Sequence, residues 1–198
     1  MKNIIKRNLI VVLGSIIMGL GIALEVSGGQ GADPLSAFWD GLSRTFNITL
    51  GEANLWVCLV MLIIAAIIDY KQLNIGTILN PLLISGTVDL VMPRLVTPNT
   101  FILQLLQSLT GVVLVAIGIG IYTSADIGKG VYDAIVFSLV DKTKFKLQYI
   151  RNAFDALLLI AGFLLGGGVG LATLLAVLLI GKLIYISNKV SKKYIKFN

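Results

Sequence analysis

The 198-residue sequence contains no histidine and only one cysteine, and charged side chains make up only 13 % of it. Without histidine, the chain lacks the most common general base and proton shuttle and a frequent zinc ligand. The lone Cys58 allows neither an internal disulfide nor a cysteine metal cluster. A phosphate-binding loop is also missing, so direct coupling to ATP would need another subunit. We therefore expect no enzyme activity and no bound cofactor.

Hydrophobic residues dominate the rest of the composition, at 57 % of the chain with a mean hydropathy of +0.93. Such a composition is typical of a protein that spans the membrane several times. The net charge of +6 comes largely from basic groups beside apolar runs, near residues 2–7, 142–151 and 189–196. This placement is typical of membrane orientation signals, and no nucleic-acid-binding motif accompanies it. The expected partner is the lipid bilayer, not a nucleic acid.

Six apolar runs are long enough to cross a bilayer as helices, which takes about 20 residues each. The sequence therefore predicts an all-α membrane protein with one transmembrane domain over residues 1–198. With six crossings both termini lie on one side, and only Arg44 and Arg94 lie on the other, which makes the termini cytoplasmic in the plasma membrane. The predicted spans cover residues 9–26, 51–68, 76–92, 101–122, 147–165 and 169–187.

The two halves of the chain repeat a glycine pattern. Three glycines of the first half recur 97 positions later: Gly14, Gly21 and Gly31 correspond to Gly111, Gly118 and Gly128. This self-similarity indicates two structural repeats, which we place at residues 8–95 and 100–190. Because three crossings per half is an odd number, the second repeat would be inverted relative to the first, as in many transporters.

A short apolar piece follows the first span of each half, near residues 34–47 and 131–140. Asp33-Pro34 is typical of a helix start. Both pieces are too short to cross a bilayer, which favours re-entrant or interfacial half-helices. If both pieces did cross, the chain would have eight spans and parallel repeats, and this alternative stays open.

Glycine-rich turns precede both short pieces and form the predicted binding site. Gly31 leads into Asp33, and Gly128 and Gly130 lead into Asp133. A half-helix that begins inside the protein directs unpaired N–H groups and a positive dipole end at its surroundings. Two such ends near the midplane would bind a small anionic or zwitterionic solute. The alternative is that these glycines serve only tight turns and close helix packing.

The third apolar run is the most polar of the six. Thr77 and Asn80 are candidate solute ligands within it, and Asp89 is a candidate for ion coupling, because polar groups in hydrocarbon are costly and tend to face a cavity. Asn80-Pro81 predicts a break in the helix that would free a carbonyl group for that cavity.

Asp155 and Arg151 lie one helical turn apart in the fifth run, so their side chains can pair. The pair is either a structural clamp or an ion-coupling site in which Arg151 tunes Asp155. Glu25, in contrast, lies near a span end, where hydration is expected.

Aromatic residues follow the pattern of a membrane interface, in which amphipathic rings lie at span ends. The residues concerned are Trp39, Trp56, Tyr70, Tyr122, Tyr149 and Tyr185.

Two overlapping GxxxG units, formed by Gly162, Gly166 and Gly170, permit close helix contact. The contact would be either within one chain or between copies in a homo-oligomer.

Further glycine-containing motifs occur in both halves. In the first half they are Gly19-Leu-Gly21-Ile-Ala23, Gly31-Ala-Asp33-Pro34 with Gly41-Leu-Ser43, and Gly76-Thr77 with Asn80. In the second half they are Gly118-Ile-Gly120, Gly128-Lys-Gly130-Val-Tyr-Asp133, Arg151, and Gly168-Val-Gly170 with Thr173 and Gly181. With these motifs the chain resembles the YitT/YczE-type bacterial membrane proteins over nearly its whole length. It departs from the family pattern at Asp155 and Ala172, where the family has glutamate and glycine. The resemblance implies a multi-spanning plasma-membrane protein of the permease type and adds no substrate.

The leading hypothesis from the sequence is a secondary transporter or permease for a small metabolite. The main alternative is an accessory protein that holds an enzyme or another membrane protein at the bilayer without transporting anything.

Overall fold

The computed structural model describes residues 2–127 and 129–194, which form eight α-helices and no β-strand within those ranges. Short 3-10 turns at Tyr70–Gln72 and Met92–Arg94 follow α3 and α4. The predicted all-α architecture is confirmed. The helices are α1 (Lys2–Ser27), α2 (Pro34–Phe46), α3 (Leu50–Asp69), α4 (Ile75–Val91), α5 (Phe101–Ser124), α6 (Val131–Thr143), α7 (Leu147–Leu164) and α8 (Leu171–Tyr194).

Six of these helices are long and apolar enough to cross a membrane: α1, α3, α4, α5, α7 and α8. They begin and end within a few residues of the predicted spans, except that α1 and α8 extend further at their charged ends. The other two, α2 and α6, have 13 residues each. A helix of that length measures about 20 Å, which is less than the hydrocarbon thickness of about 30 Å. The six predicted spans and the two short helices are therefore both present.

Helices α1 and α5 pack against each other in opposite directions. A Cβ atom added to Gly14 would lie 2.8 Å from the carbonyl oxygen of Gly118. One added to Gly21 would lie 2.7 Å from the carbonyl oxygen of Gly111. Because a later position on α1 meets an earlier position on α5, the two helices are antiparallel. Their glycines let the two backbones approach closely.

The short helices pack across the halves of the chain. Helix α2 lies against α7, and α6 lies against α3, while α1 packs on α4 and α5 packs on α8. Buried apolar side chains from both halves, such as Ile22, Ile84 and Ile135, form one continuous core. Neither half of the chain therefore has a separate core.

Helices α2 and α6 begin differently. Helix α2 starts at Pro34, as predicted, and the Asp33 carboxylate accepts hydrogen bonds from the N–H groups of Leu35 and Ser36 at 3.0 and 3.3 Å. Helix α6 follows Gly130, and no side chain of the described residues caps it. The first helix end is thus closed by a carboxylate, and the second is not.

The predicted break at Asn80-Pro81 is wrong, because α4 runs without interruption through Pro81. Proline lacks an N–H donor and so frees the carbonyl oxygen of Thr77, four residues earlier, which membrane helices tolerate in packed surroundings. Beside Pro81, the Asn54 amide of α3 donates to the carbonyl oxygen of Pro81 itself at 3.1 Å and so joins α3 to α4.

The GxxxG glycines do not share one helix, since α7 ends at Leu164 and α8 begins at Leu171. Gly162 packs against the backbone of Ala37, and Gly170 packs against Gln30. Gly166 lies in the connecting turn with a φ of +82°. Two of the three glycines therefore make contacts within the chain, and homo-oligomer formation stays a prediction.

Candidate functional site

The two halves enclose a cavity of about 100 Å³, and residues at or in each of the eight described helices line it. Since one water molecule needs about 10–15 Å³, the cavity accommodates several waters or a small organic solute. Its walls are mainly apolar. The charged and amide side chains that line it are Asp33, Asn54, Asn80, Asp133, Arg151 and Asp155.

Equivalent positions of the two halves line this cavity together. The pairs, each separated by 97 positions, include Met18 with Val115, Ile22 with Ile119, Asn54 with Arg151, and Cys58 with Asp155. The first two pairs are apolar in both halves. The last two pairs are neutral in the first half and charged in the second. The cavity walls are therefore similar in shape and different in charge.

On the side of the first half, Asp33 and Glu25 bring two carboxyl groups together. Asp33 is 8 % exposed, and its Oδ2 accepts a hydrogen bond of 2.6 Å from the Ser36 hydroxyl. The backbone N–H of Asp33 donates to Glu25 Oε2 at 3.4 Å. Glu25 is completely buried, and its Oε1 has no hydrogen-bond partner among the described residues. The expectation that Glu25 is hydrated is wrong, because the chain folds back after α1 and covers it with the start of α2.

On the side of the second half, Asp133 and Asp155 each have a partner. Arg151 Nη1 lies 3.5 Å from Asp133 Oδ1, and the Tyr132 hydroxyl donates to Asp155 Oδ1. The Arg151 guanidinium also lies 5.4 Å from the centre of the Tyr132 ring. The expected pair between Arg151 and Asp155 is thus replaced, because α6 presents a carboxylate closer to the guanidinium.

The Asp133 carboxylate lies in the first turn of α6, outside the six long helices. Removal of this group from water raises its pKa, and the positive charges of Arg151 and Lys129 offset part of that rise. The charge at the start of α6 therefore depends on Arg151.

Two buried polar atoms beside the cavity have no hydrogen-bond partner in the described chain: Trp39 Nε1 and Tyr122 Oη. Trp39 is 4 % exposed and Tyr122 is 2 % exposed, and both residues line the cavity. A buried donor without a partner costs about 1–3 kcal/mol. These atoms are therefore candidates for contact with a polar ligand.

Four of the seven predicted solute ligands lie at this cavity: Asp33, Asn80, Gly130 and Asp133. The Asn80 amide also donates to the Ser15 hydroxyl at 2.9 Å, so its orientation is fixed by α1. Gly128 lies outside the described residues.

Gly31 and Thr77 serve packing between the halves. A Cβ atom on Gly31 would lie 2.6 Å from the Gly170 nitrogen and would collide with the Thr173 hydroxyl, and the φ of Gly31 is +94°. The Thr77 hydroxyl donates to the Lys129 carbonyl oxygen at 2.8 Å. Each turn is thus fastened to the start of a helix from the other half.

Asp89, predicted for ion coupling, does not line the cavity. Its carboxylate accepts hydrogen bonds from the Thr49 hydroxyl at 2.8 Å and from the Gly51 N–H at 2.9 Å. Asp89 therefore joins the end of α4 to the start of α3.

Sequence reasoning missed three residues beside the cavity, namely Glu25, Trp39 and Tyr122. Trp39 and Tyr122 were assigned to the membrane interface with other aromatic residues. That assignment agrees with the exposure of Trp56, Tyr70, Tyr149 and Tyr185, which is between 62 and 70 %. The sequence did contain one signal for two of these residues. Glu25 and Tyr122 are 97 positions apart, as are the repeated glycines, so they occupy equivalent positions in the two halves.

A wider polar depression of about 450 Å³ lies next to the cavity and shares Asp133 with it. Lys71, Lys129 and Lys192 line it, together with Asp126. Asp133 therefore lies where the wide depression meets the central cavity.

Six long apolar helices around an internal, partly polar cavity define a multi-pass helical membrane protein. The chain belongs to the family described as "Family of unknown function (DUF6198)", whose sequence model matches residues 5–189.

Similar proteins occur in two bacteria. The chain is 29 % identical over 175 residues to "Uncharacterized membrane protein YczE" of Bacillus subtilis (strain 168). The aligned region covers 88 % of this chain and 81 % of the relative. It is 27 % identical to "Uncharacterized protein YyaS" of the same strain, over 88 % of both chains. A Haemophilus influenzae protein is 27 % identical over 85 % of this chain and 77 % of its own length. No solved structure matches significantly. The resemblance to the YitT/YczE-type family is confirmed.

Proposed function

We propose that the protein is a secondary transporter for a small solute and that the cavity between its halves is the binding site. The observation that carries this proposal is the pair of unpartnered polar atoms, Trp39 Nε1 and Tyr122 Oη, in residues that line the cavity. A polar ligand that reached them would supply hydrogen bonds that no described residue supplies. A protein that only held a partner at the bilayer would gain nothing from such a cavity.

We further propose that the two halves are inverted repeats. The antiparallel contact of α1 with α5 supports this, because Gly14 meets Gly118 while the equivalent Gly111 meets Gly21. With three crossings per half, α1 and α5 run in opposite directions; with four crossings, they would be parallel. The distribution of basic residues supports cytoplasmic termini and a plasma-membrane location. Inverted repeats around one site are a common basis of alternating access.

The charges at the cavity favour a solute with a positive group. Asp33, Asp133 and Asp155 line the cavity, and Arg151 is the cationic side chain among its described lining residues. The N-terminus of α2 is already occupied by the Asp33 carboxylate, so it does not attract an anion. The expected solute class therefore changes from anionic or zwitterionic to zwitterionic or cationic. In a zwitterion, the ammonium group would face Asp33, and the anionic group would face Arg151 and the uncapped start of α6.

The test is uptake into lipid vesicles that contain the purified full-length protein. Radiolabelled glycine, ethanolamine and acetate are similar in size and differ in charge. We expect uptake of the first two to exceed uptake of acetate. Trp39→Phe and Tyr122→Phe each remove one hydrogen-bonding group, and we expect each to lower uptake about tenfold, which corresponds to about 1.4 kcal/mol.

The matched controls are Trp56→Phe and Tyr185→Phe, whose side chains are 62 and 66 % exposed on the outside of the helices. Uptake by the controls should equal uptake by the unmodified protein. Equal rates in the cavity variants and the controls would contradict the proposed binding site. Faster uptake of acetate than of glycine would contradict the proposed solute class.

A further inference from the structure

The carboxyl pair of Glu25 and Asp33 has a feature that solute binding alone does not explain. Glu25 is completely buried, does not line the cavity, and has one oxygen, Oε1, with no partner in the described chain. Its other oxygen accepts the Asp33 N–H at 3.4 Å. The Glu25 carboxyl group also interacts with the Asp33 carboxyl and with the Ser36 hydroxyl.

Among the residues that the structure describes, no cationic side chain is shown in an ion pair with Glu25 or Asp33. Helix α5 presents Gly111 and Ser108 to Glu25, and neither is charged. Among the described residues, the guanidinium groups that form ion pairs reach Asp40 and Asp133 instead. Asp155, on α7, carries a further carboxyl group, which is close enough to Asp33 to interact with it. Arg151 lines the same cavity as Asp33 but pairs with Asp133, and the described groups that act on the Glu25 carboxyl are those of Asp33 and Ser36.

If both carboxyl groups were ionised in these surroundings, the free-energy cost would be high, because two negative charges would lie close together without a counter-ion. One proton shared by the pair removes one negative charge and turns Glu25 into a hydrogen-bond donor toward Asp33. Asp33 then still accepts the hydrogen bonds from Leu35, Ser36 and the Ser36 hydroxyl that fix the start of α2. A single proton therefore satisfies every group of the cluster.

We propose that Glu25 and Asp33 together bind one proton and exchange it during the transport cycle. The inference rests on the proposed transport function. Binding takes one proton from water, forms one O–H bond on a Glu25 oxygen and changes the charge of the pair from minus two to minus one. Release returns that proton to water and breaks the same bond.

Because Asp33 also lines the cavity, the proton and a positively charged solute group stabilise the same carboxylate. Each therefore weakens the binding of the other. Competition of this kind couples solute movement in one direction to proton movement in the other. The second half lacks such a carboxyl pair, since the position equivalent to Glu25 is Tyr122.

The experiment is infrared difference spectroscopy of the full-length protein in lipid vesicles, with Glu25→Gln compared to the unmodified protein at neutral pH. We expect the unmodified protein to show the C=O band of a buried protonated carboxyl group, which Glu25→Gln removes. Glu52→Gln is the matched control, because Glu52 is exposed and serves only the start of α3; it should keep the band. The same band in Glu25→Gln, or no band in the unmodified protein, would overturn the proposal.

Three further measurements keep the test decisive. Raising the pH in the unmodified protein should remove the band without any substitution, which covers the case in which Glu25→Gln fails to fold. Adding sodium chloride at constant pH should leave the band unchanged; loss of the band would show that the pair binds a metal cation instead of a proton and would overturn the proposal.

In vesicles, a proton gradient should drive solute uptake by the unmodified protein but not by Glu25→Gln, while solute exchange without a gradient persists in both. Absence of all uptake with the band present would contradict the transport function and leave the proton site standing.

Discussion

The start of α2 and the start of α6 occupy equivalent places in the two halves, yet their chemistry differs. At α2, Asp33 caps the helix and contacts the buried Glu25. At α6, Gly130 leaves the helix end uncapped, and Asp133 pairs with Arg151. Both starts line one cavity. The difference teaches that two similar short helices shape the cavity, whereas their unequal side chains place a carboxyl pair on one side of it and an ion pair on the other.

The largest expected effect concerns the glycines of the two turns. Gly31→Ala should destabilise the protein by more than about 3 kcal/mol, because a side chain is strained at positive φ and would also collide with Thr173. Gly130→Ala is the matched change, since the nearest atom to its Cβ would be 4.0 Å away. We expect it to change stability by less than about 0.5 kcal/mol. Denaturant unfolding in detergent micelles measures both, and equal losses would show that the two turns are packed alike.

The second prediction separates the two ion pairs. Arg151→Gln leaves Asp133 without its ion-pair partner, and we expect a loss of stability of about 1–3 kcal/mol together with loss of uptake. Arg44→Gln breaks the pair with Asp40, in which Arg44 is 59 % exposed. The expected loss there is less than about 1 kcal/mol, with uptake retained. Thermal unfolding and vesicle uptake are the measurements, and an unchanged uptake in Arg151→Gln would remove Arg151 from the site.

The third prediction exchanges the caps of the short helices. Asp33→Ala should cost about 1 kcal/mol by removing the cap of α2, whereas Asp33→Asn should cost less, because asparagine caps equally well. Gly130→Asp should stabilise α6 by a few tenths of a kcal/mol, since glycine is already an acceptable cap residue. Hydrogen exchange of the amides in the first turn of each helix measures the effect. Faster exchange in α6 of Gly130→Asp would contradict the assignment of an open helix end.

The smallest expected effect on stability comes from Tyr122→Phe. Its hydroxyl has no partner within the described residues, so its removal should leave the stability unchanged or slightly higher. Tyr132→Phe removes a hydroxyl that donates to Asp155 and should cost about 1–2 kcal/mol. Thermal unfolding of the two variants tests this. A clear loss of stability in Tyr122→Phe would show that the Tyr122 hydroxyl makes a hydrogen bond within the protein.

Much of the architecture follows from local sequence properties. The six spans were predictable because a crossing requires a long apolar run, and the start of α2 was predictable because Asp33-Pro34 is a strong helix start. The continuous course of α4 through Pro81 was not predictable, since a membrane helix tolerates proline where its packed surroundings compensate for the missing donor. Local pattern thus predicts where helices lie, and tertiary contacts decide whether an interrupting residue has an effect.

The candidate site was predictable only in part. Asp33 and Asp133 were identifiable because they follow glycine-rich turns at helix starts, and Asn80 because it is a polar residue in an apolar run. All three line the cavity. The partner of Arg151 was not, because its distance to Asp133 is set by the packing of α6 on α7. Glu25 was also missed, since its burial depends on how the chain turns back after α1.

The crossed packing of the short helices has a consequence for synthesis at the ribosome. Helix α2, residues 34–46, lies against α7, residues 147–164, which is made about a hundred residues later. Until then, α2 packs on α3 and α1 alone, and the cavity lacks the side chains of Arg151 and Asp155. The protein therefore completes its interior only when the penultimate helix arrives, so a nascent chain truncated before α7 should be recognised as incomplete by cellular quality control.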